Sequence, residues 1–177
     1  MKKEIIISEL KSWAKIIGGA IIVAAFINTT IIANATVPSS SMESTVMTGD
    51  RVIGFRLAYL LSEPERGDII MFKMPDDESQ NYLKRIIGLP GEQVEIIDGK
   101  VYINGSEVPL EEGYLNVVPT GTYGPYDVPA DSYFVMGDNR NISYDSRYWN
   151  NKFVSRDQII AKAIVDYYPS VHLLDVQ

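Results

Sequence analysis

The chain has 177 residues, a net charge of −7, one histidine and no cysteine. A thiol nucleophile and a disulfide framework are thereby excluded, and a Ser-His-Asp site would have to be built on His172, close to the last residue. With one histidine and no thiol, a catalytic zinc site lacks its usual ligands, so neither a metal nor a cofactor is expected.

The charge is unevenly spread. Residues 1–36 carry four lysines against two glutamates, whereas the remainder carries 12 basic and 21 acidic residues. An acidic body without a basic stripe argues against nucleic acid as a partner. Lys2, Lys3, Lys11 and Lys15 precede residues 16–35, twenty residues without a charge. As a helix that stretch rises about 30 Å, enough to cross the hydrocarbon core. The next basic residue is Arg51, so the lysine-bearing end is expected to stay in the cytoplasm. The expected organisation is a cytoplasmic segment 1–15, a single-pass transmembrane anchor 16–36 and an extracytoplasmic body 37–177. Trp13 suits the interface, and Asn28, Thr29, Thr30 and Asn34 must bond back to the helix or reach the headgroups. Two rival readings use the same residues. Ala33-Asn34-Ala35 resembles the A-x-A site of a cleaved secretory leader, and the segment could be a buried helix of a soluble domain.

Beyond the apolar stretch the chain reads as β-rich. Strands are expected at 50–55, 68–73, 82–88, 93–97, 100–103, 133–136 and 159–165, with an apolar run of unclear type at 57–61. Residues 75–79 read as an exposed acidic loop. Asp98-Gly99 between two strand patterns is a strong hairpin signal, and Asn104-Gly105 is a second tight turn. Residues 111–131 hold three prolines and three glycines and read as a long loop, so 98–131 is expected to form a small hairpin and loop-rich cap. No long helical period follows residue 36, and the fold class expected is mainly β: an antiparallel sheet domain preceded by one N-terminal transmembrane helix.

Two stretches carry candidate chemistry. Ser39, Ser40 and Ser41 follow Pro38 just past the apolar span, with Met42 and Val46 as apolar groups to bury. Lys84 lies among Tyr82, Leu83, Ile86 and Ile87, with no acid within five residues on either side. A free lysine amine, with a pKa near ~10.4, is almost wholly charged at neutral pH. Burial disfavours the ammonium and can lower its pKa by roughly 3–5 units, turning it into a base able to activate a hydroxyl. The plainer readings are a serine-rich linker and a lysine at a strand edge facing water.

Four stretches, in order, resemble the boxes of bacterial type I signal peptidases of the Gram-positive kind. The pattern P-S-x-S-M-x-P-T appears at residues 38–45, from Pro38 to Thr45. R-G-D-I-V-x-F appears at 66–72, K-R-x-x-G-x-P-G at 84–91, and G-D-N-x-x-x-S-x-D-S-R at 137–147. The chain departs at Ser40, where glycine is frequent, and at Ser44, where proline is usual. The resemblance implies Ser41 as nucleophile and Lys84 as general base. Ser39 and the Ser41 N–H would form the oxyanion hole, Ser143 would orient the lysine, and Arg85, Asp138, Asp145 and Arg147 would support the site. Met42 and Leu83, flanking the pair, are expected to wall pockets for small side chains. It further implies a membrane-bound serine endopeptidase without cofactor, acting as a monomer on the signal peptides of exported preproteins, with membrane lipid around its anchor. Two alternatives are a soluble, self-cleaving repressor-type Ser-Lys peptidase and a membrane-tethered, non-catalytic β binding module.

Overall fold

The computed structural model of the chain describes residues 2–60 and 62–174. Leu61, the last residue of the apolar run at 57–61, lies outside them, and the described part of that run forms turns.

Helix α1 spans Lys2–Phe26 and ends in a π turn, Ile27–Ile31. Within it, Glu9–Ile31 is long and apolar enough to cross a membrane, with a mean hydropathy of 1.8 and none of it buried against protein. Leu10, Trp13, Ile16 and Ile22 are exposed along it, which overturns the reading as a buried core helix. The Thr29 hydroxyl donates back to the carbonyls of Ala25 (2.9 Å) and Phe26 (3.3 Å), so it is satisfied within the helix itself.

The expected anchor 16–36 ends too late. Ile32–Thr36 is strand β1, antiparallel to β2 (Arg51–Phe55) in a register running from Ile32 opposite Phe55 to Thr36 opposite Arg51. Ala33 is buried and Asn34 exposed, the alternation of a half-buried strand. No proline, glycine or charge separates helix from strand, so the apolar run continues unbroken across the boundary.

The remaining strands are β3 (Ile69–Met74), β4 (Asp77–Gly88), β5 (Gln93–Ile97), β6 (Lys100–Ile103), β7 (Tyr123–Asp127), β8 (Ser132–Met136), β9 (Val154–Ser155), β10 (Ile159–Tyr168) and β11 (His172–Leu173). The main sheet runs β1-β2-β10-β3-β4-β8-β9, with β11 beside β10, and its paired neighbours are antiparallel. A second sheet, β6-β5-β7, forms the cap. The expected acidic loop 75–79 is mostly strand, since β4 begins at Asp77 and pairs with β3 back to Met74. The predicted hairpin is present: Asp98 and Gly99 have φ of 49° and 81°, the values a primed turn needs.

Three apolar clusters hold these layers together. One packs Met42 and Val46 against Val52, Ile69, Met71, Ala161 and Ala163, with Leu83 at its margin. A second gathers Phe72, Ile86, Tyr133 and Trp149. The third joins β5 and β6 of the cap to Ile87, Phe134 and Met136 of the main sheet. The segment after the apolar span is therefore no flexible linker: Met42 is fully buried, worth roughly 1.5–3 kcal/mol for such a side chain.

Candidate active site

Ser41 lies in a single 3-10 turn, Ser40–Met42, entered from Ser39 in extended conformation. The burial of Met42 pins the turn to the sheet and leaves Ser41 only partly covered. Successive residues of β4 point to opposite faces, and Lys84 and Arg85 are both buried, at 4% and 2% exposure. Lys84 turns towards the serine turn: its Nζ lies 2.6 Å from Ser41 Oγ and donates to the Leu83 carbonyl at 3.1 Å. The Tyr82 ring stands 5.4 Å from the amine. Burial pushes the amine's pKa down to about 8, against the opposing pull of the Asp145 and Asp138 carboxylates. Desolvation is the largest of these contributions, and both acids are also engaged by arginines.

Those ion pairs form the wall behind the dyad. Arg85 bonds Asp138 through Nε (2.9 Å) and Nη2 (2.7 Å), and its Nη1 donates to the Gly67 carbonyl (2.8 Å). Arg147 bonds Asp145 in the same two-pronged way at 2.8 Å each. Asp145 also accepts from the Gly137 N–H (3.0 Å). The Thr45 hydroxyl donates to Asp138 Oδ2, and the Asn139 N–H donates to the Ser41 carbonyl (3.1 Å). Gly137 is needed for this approach, since a Cβ there would collide with Ser143 Oγ and the Ser41 carbonyl.

Ser39 Oγ lies 3.3 Å from Ser41 Oγ, on the nucleophile's own side of the turn. Ser143 lies close by, but its contact with the lysine is not made: its hydroxyl is buried without a hydrogen-bond partner among the described residues, beside Gly137 and the Ser41 carbonyl. His172 sits away from the pair, its Nε2 3.3 Å from the Thr45 carbonyl. Among the described residues there is no cluster of three or more side chains suited to a metal.

A groove of about 490 Å³ opens at the dyad. Its walls are residues 33–37 on one side, 80–84 on the other, with the serine turn, Met71, Ile142, Tyr144 and Ile160 between them. Met42 and Leu83 are both among its lining. The wall formed by β1, Thr45 bridging to Asp138, and Arg140 were not anticipated. Thr45 and Arg140 lie inside the quoted motifs; β1 carried no signal except the Ala33-Asn34-Ala35 triplet.

Comparison with known proteins identifies the chain's relatives. The family described as signal peptidase, peptidase S26, matches residues 10–168. A probable signal peptidase I-2 of Synechocystis is 44% identical over 155 residues, covering 85% of this chain and 69% of its own. A signal peptidase I of Leptolyngbya laminosa is 41% identical, covering 92% and 81%. A signal peptidase I of Bacillus licheniformis is 37% identical, covering 79% of each. A crystal structure of a signal peptidase I from Enterococcus faecalis aligns with 57% of this chain and 97% of its own, at 39% identity and a TM-score of 0.49. The chain is an enzyme of the signal peptidase family, peptidase S26.

Proposed function

We propose that this chain is a membrane-bound serine endopeptidase that removes N-terminal signal peptides from exported preproteins through a Ser41–Lys84 dyad. The observation that carries this reading is the 2.6 Å approach of a buried lysine amine to a serine hydroxyl at the end of a groove. The preprotein segment lies extended between the 33–37 and 80–84 walls, added as a strand whose alternate side chains point into the floor. Met42 and Leu83, in the lining beside the dyad, set the size of side chain admitted there.

Neutral Lys84 accepts the Ser41 proton as Oγ attacks the scissile carbonyl. The developing oxyanion receives the Ser39 O–H and the Ser41 N–H. Lys84 then protonates the leaving amine, and a water activated by the same nitrogen releases the acyl group. Once it has taken the Ser41 proton, Lys84 carries three N–H groups; one faces Ser41 Oγ and one the Leu83 carbonyl, so the third can turn to Ser143 as the chemistry proceeds. The exposed helix Glu9–Ile31 crosses the membrane with its lysine-bearing end in the cytoplasm and the sheet domain outside. Anchored there, the enzyme meets a membrane-embedded substrate at raised effective concentration.

The test is cleavage of a preprotein in proteoliposomes by wild type, Ser41→Ala and Lys84→Ala. Both variants are expected to fold as wild type does and to lose at least about 10³-fold in rate. Retained cleavage by either variant refutes the dyad.

A further inference from the structure

The cap segment between β6 and β7 reaches back to the site through two residues, Glu112 and Tyr114. Neither touches Ser41 or Lys84. The Tyr114 ring lies flat against the next residue along β4, with the Arg85 Cζ 3.9 Å from its centroid. Arg85 is thus held in its own plane by Asp138 and covered on one face by an aromatic ring. The Tyr114 hydroxyl donates to Glu112 Oε1 at 2.8 Å and accepts from Arg140 Nη2 at 3.1 Å. Glu112 in turn bonds both terminal nitrogens of Arg140, whose Nε donates to the Gly137 carbonyl at 3.1 Å. One short stretch of cap therefore covers two buried arginines beside residues 137–139, the segment that also meets Thr45 and the Ser41 carbonyl.

We propose that Tyr114, anchored by Glu112, is a positioning residue for the base: its ring seals Arg85 onto Asp138 and keeps the ion pair behind Lys84 closed and dry. This rests on the dyad reading above. The charged groups facing the pair are Glu112 from the cap, and Arg140 together with Asp145 and its partner Arg147 from the 138–147 loop. Asp138 and Asp145 both favour the lysine ammonium, and burial opposes them. Without the ring, one face of the guanidinium opens to water. The Arg85–Asp138 pairing then loosens, and the Asp138 charge acts on the amine with less compensation. Water entering behind Lys84 weakens desolvation as well. Both effects favour the charged lysine, so both shift its deprotonation to higher pH.

The experiment compares full-length, detergent-solubilised wild type, Tyr114→Leu and Tyr114→Phe, with kcat/KM for an Ala-x-Ala peptide followed across pH. The acid limb of Tyr114→Leu is expected to move up by about one pH unit. Its rate at pH 7 then falls about tenfold and is largely recovered at alkaline pH. Tyr114→Phe keeps the ring and is expected to leave the limb in place. If Tyr114→Leu does not fold, Tyr114→Met fills the same space and is read in the same way. A limb that coincides with the wild type in the leucine or methionine variant overturns the proposal, whatever happens to melting temperature. Lys84→Ala is measured alongside: full activity in that variant removes the dyad reading itself, whereas an unmoved limb with Lys84→Ala inactive removes only the role of Tyr114.

Discussion

A lysine whose amine titrates near 8 inside the fold and near 10.5 outside it makes the folded state less stable wherever it must be charged. Below pH 8 both states hold the proton, and the folded protein bears the full cost of burying it. Between 8 and 10.5 the unfolded chain binds more protons than the folded one, so stability rises with pH across that window. The displacement corresponds to about 3 kcal/mol, as one unit is worth ~1.4 kcal/mol. Lys84→Met keeps the volume and removes the charge. It should abolish cleavage while raising the unfolding free energy at pH 7 by up to about 3 kcal/mol. That excess over wild type should shrink as pH approaches 10.5. Denaturant titrations at pH 7 and pH 10 measure both; a variant less stable than wild type at pH 7 would show that the amine's hydrogen bonds outweigh its desolvation.

At the level of elements, β4 is where base and scaffold meet, because adjacent residues serve opposite faces. Lys84 turns to the serine turn, and Arg85 turns to Asp138 and the cap. Asp138→Asn leaves Arg85 buried with half its partner gone, which costs roughly 3–5 kcal/mol. It also removes a carboxylate that favours the ammonium, so the acid limb of the rate profile should move to lower pH even as the melting temperature drops. A limb that stays fixed would mean that Asp138 acts on the dyad through shape alone. Much of this geometry was legible because the chemistry is written locally: Pro38 to Thr45 and Lys84 to Gly91 are contiguous, and an apolar strand without nearby acids foretold a dry amine. The acids that do surround it, Asp138 and Asp145, come from more than fifty residues away, and each is paired with an arginine. Strand β1 was hidden because its alternation begins inside an apolar run, and the first half of β4 because its residues 77–81 are polar and exposed on both faces. The contact expected between Ser143 and the lysine could not be judged from spacing, since it depends on which of several acceptors within reach the amine selects. Tyr114 sits in a stretch whose glycines and prolines say only that the chain turns.

For the whole molecule, the division that matters falls inside the apolar segment. Glu9–Ile31 is an apolar helix with none of it buried against protein, and Ile32–Thr36 belong to the sheet. The two parts should separate cleanly. A chain beginning at Ile32 keeps all five pairings of β1 with β2 and both walls of the groove. It should fold in water and cleave a short Ala-x-Ala peptide at near wild-type kcat/KM. On a preprotein in liposomes it should lose its advantage, since the tether that concentrates enzyme and substrate on one surface is gone. A chain beginning at Val37 differs by only five residues but bares the β2 edge, uncovers the cluster around Val52 and Ala163, and removes one wall of the groove. Ser41 and Lys84 remain, yet the peptide has no second edge to align it, and misplacement of about 1 Å costs roughly 100-fold. Its activity on the short peptide should fall by about that factor, and the protein should self-associate through the open edge. Equal peptide rates in the two shortened chains would show that β1 is a structural strand only and that substrate alignment comes from the 80–84 wall alone.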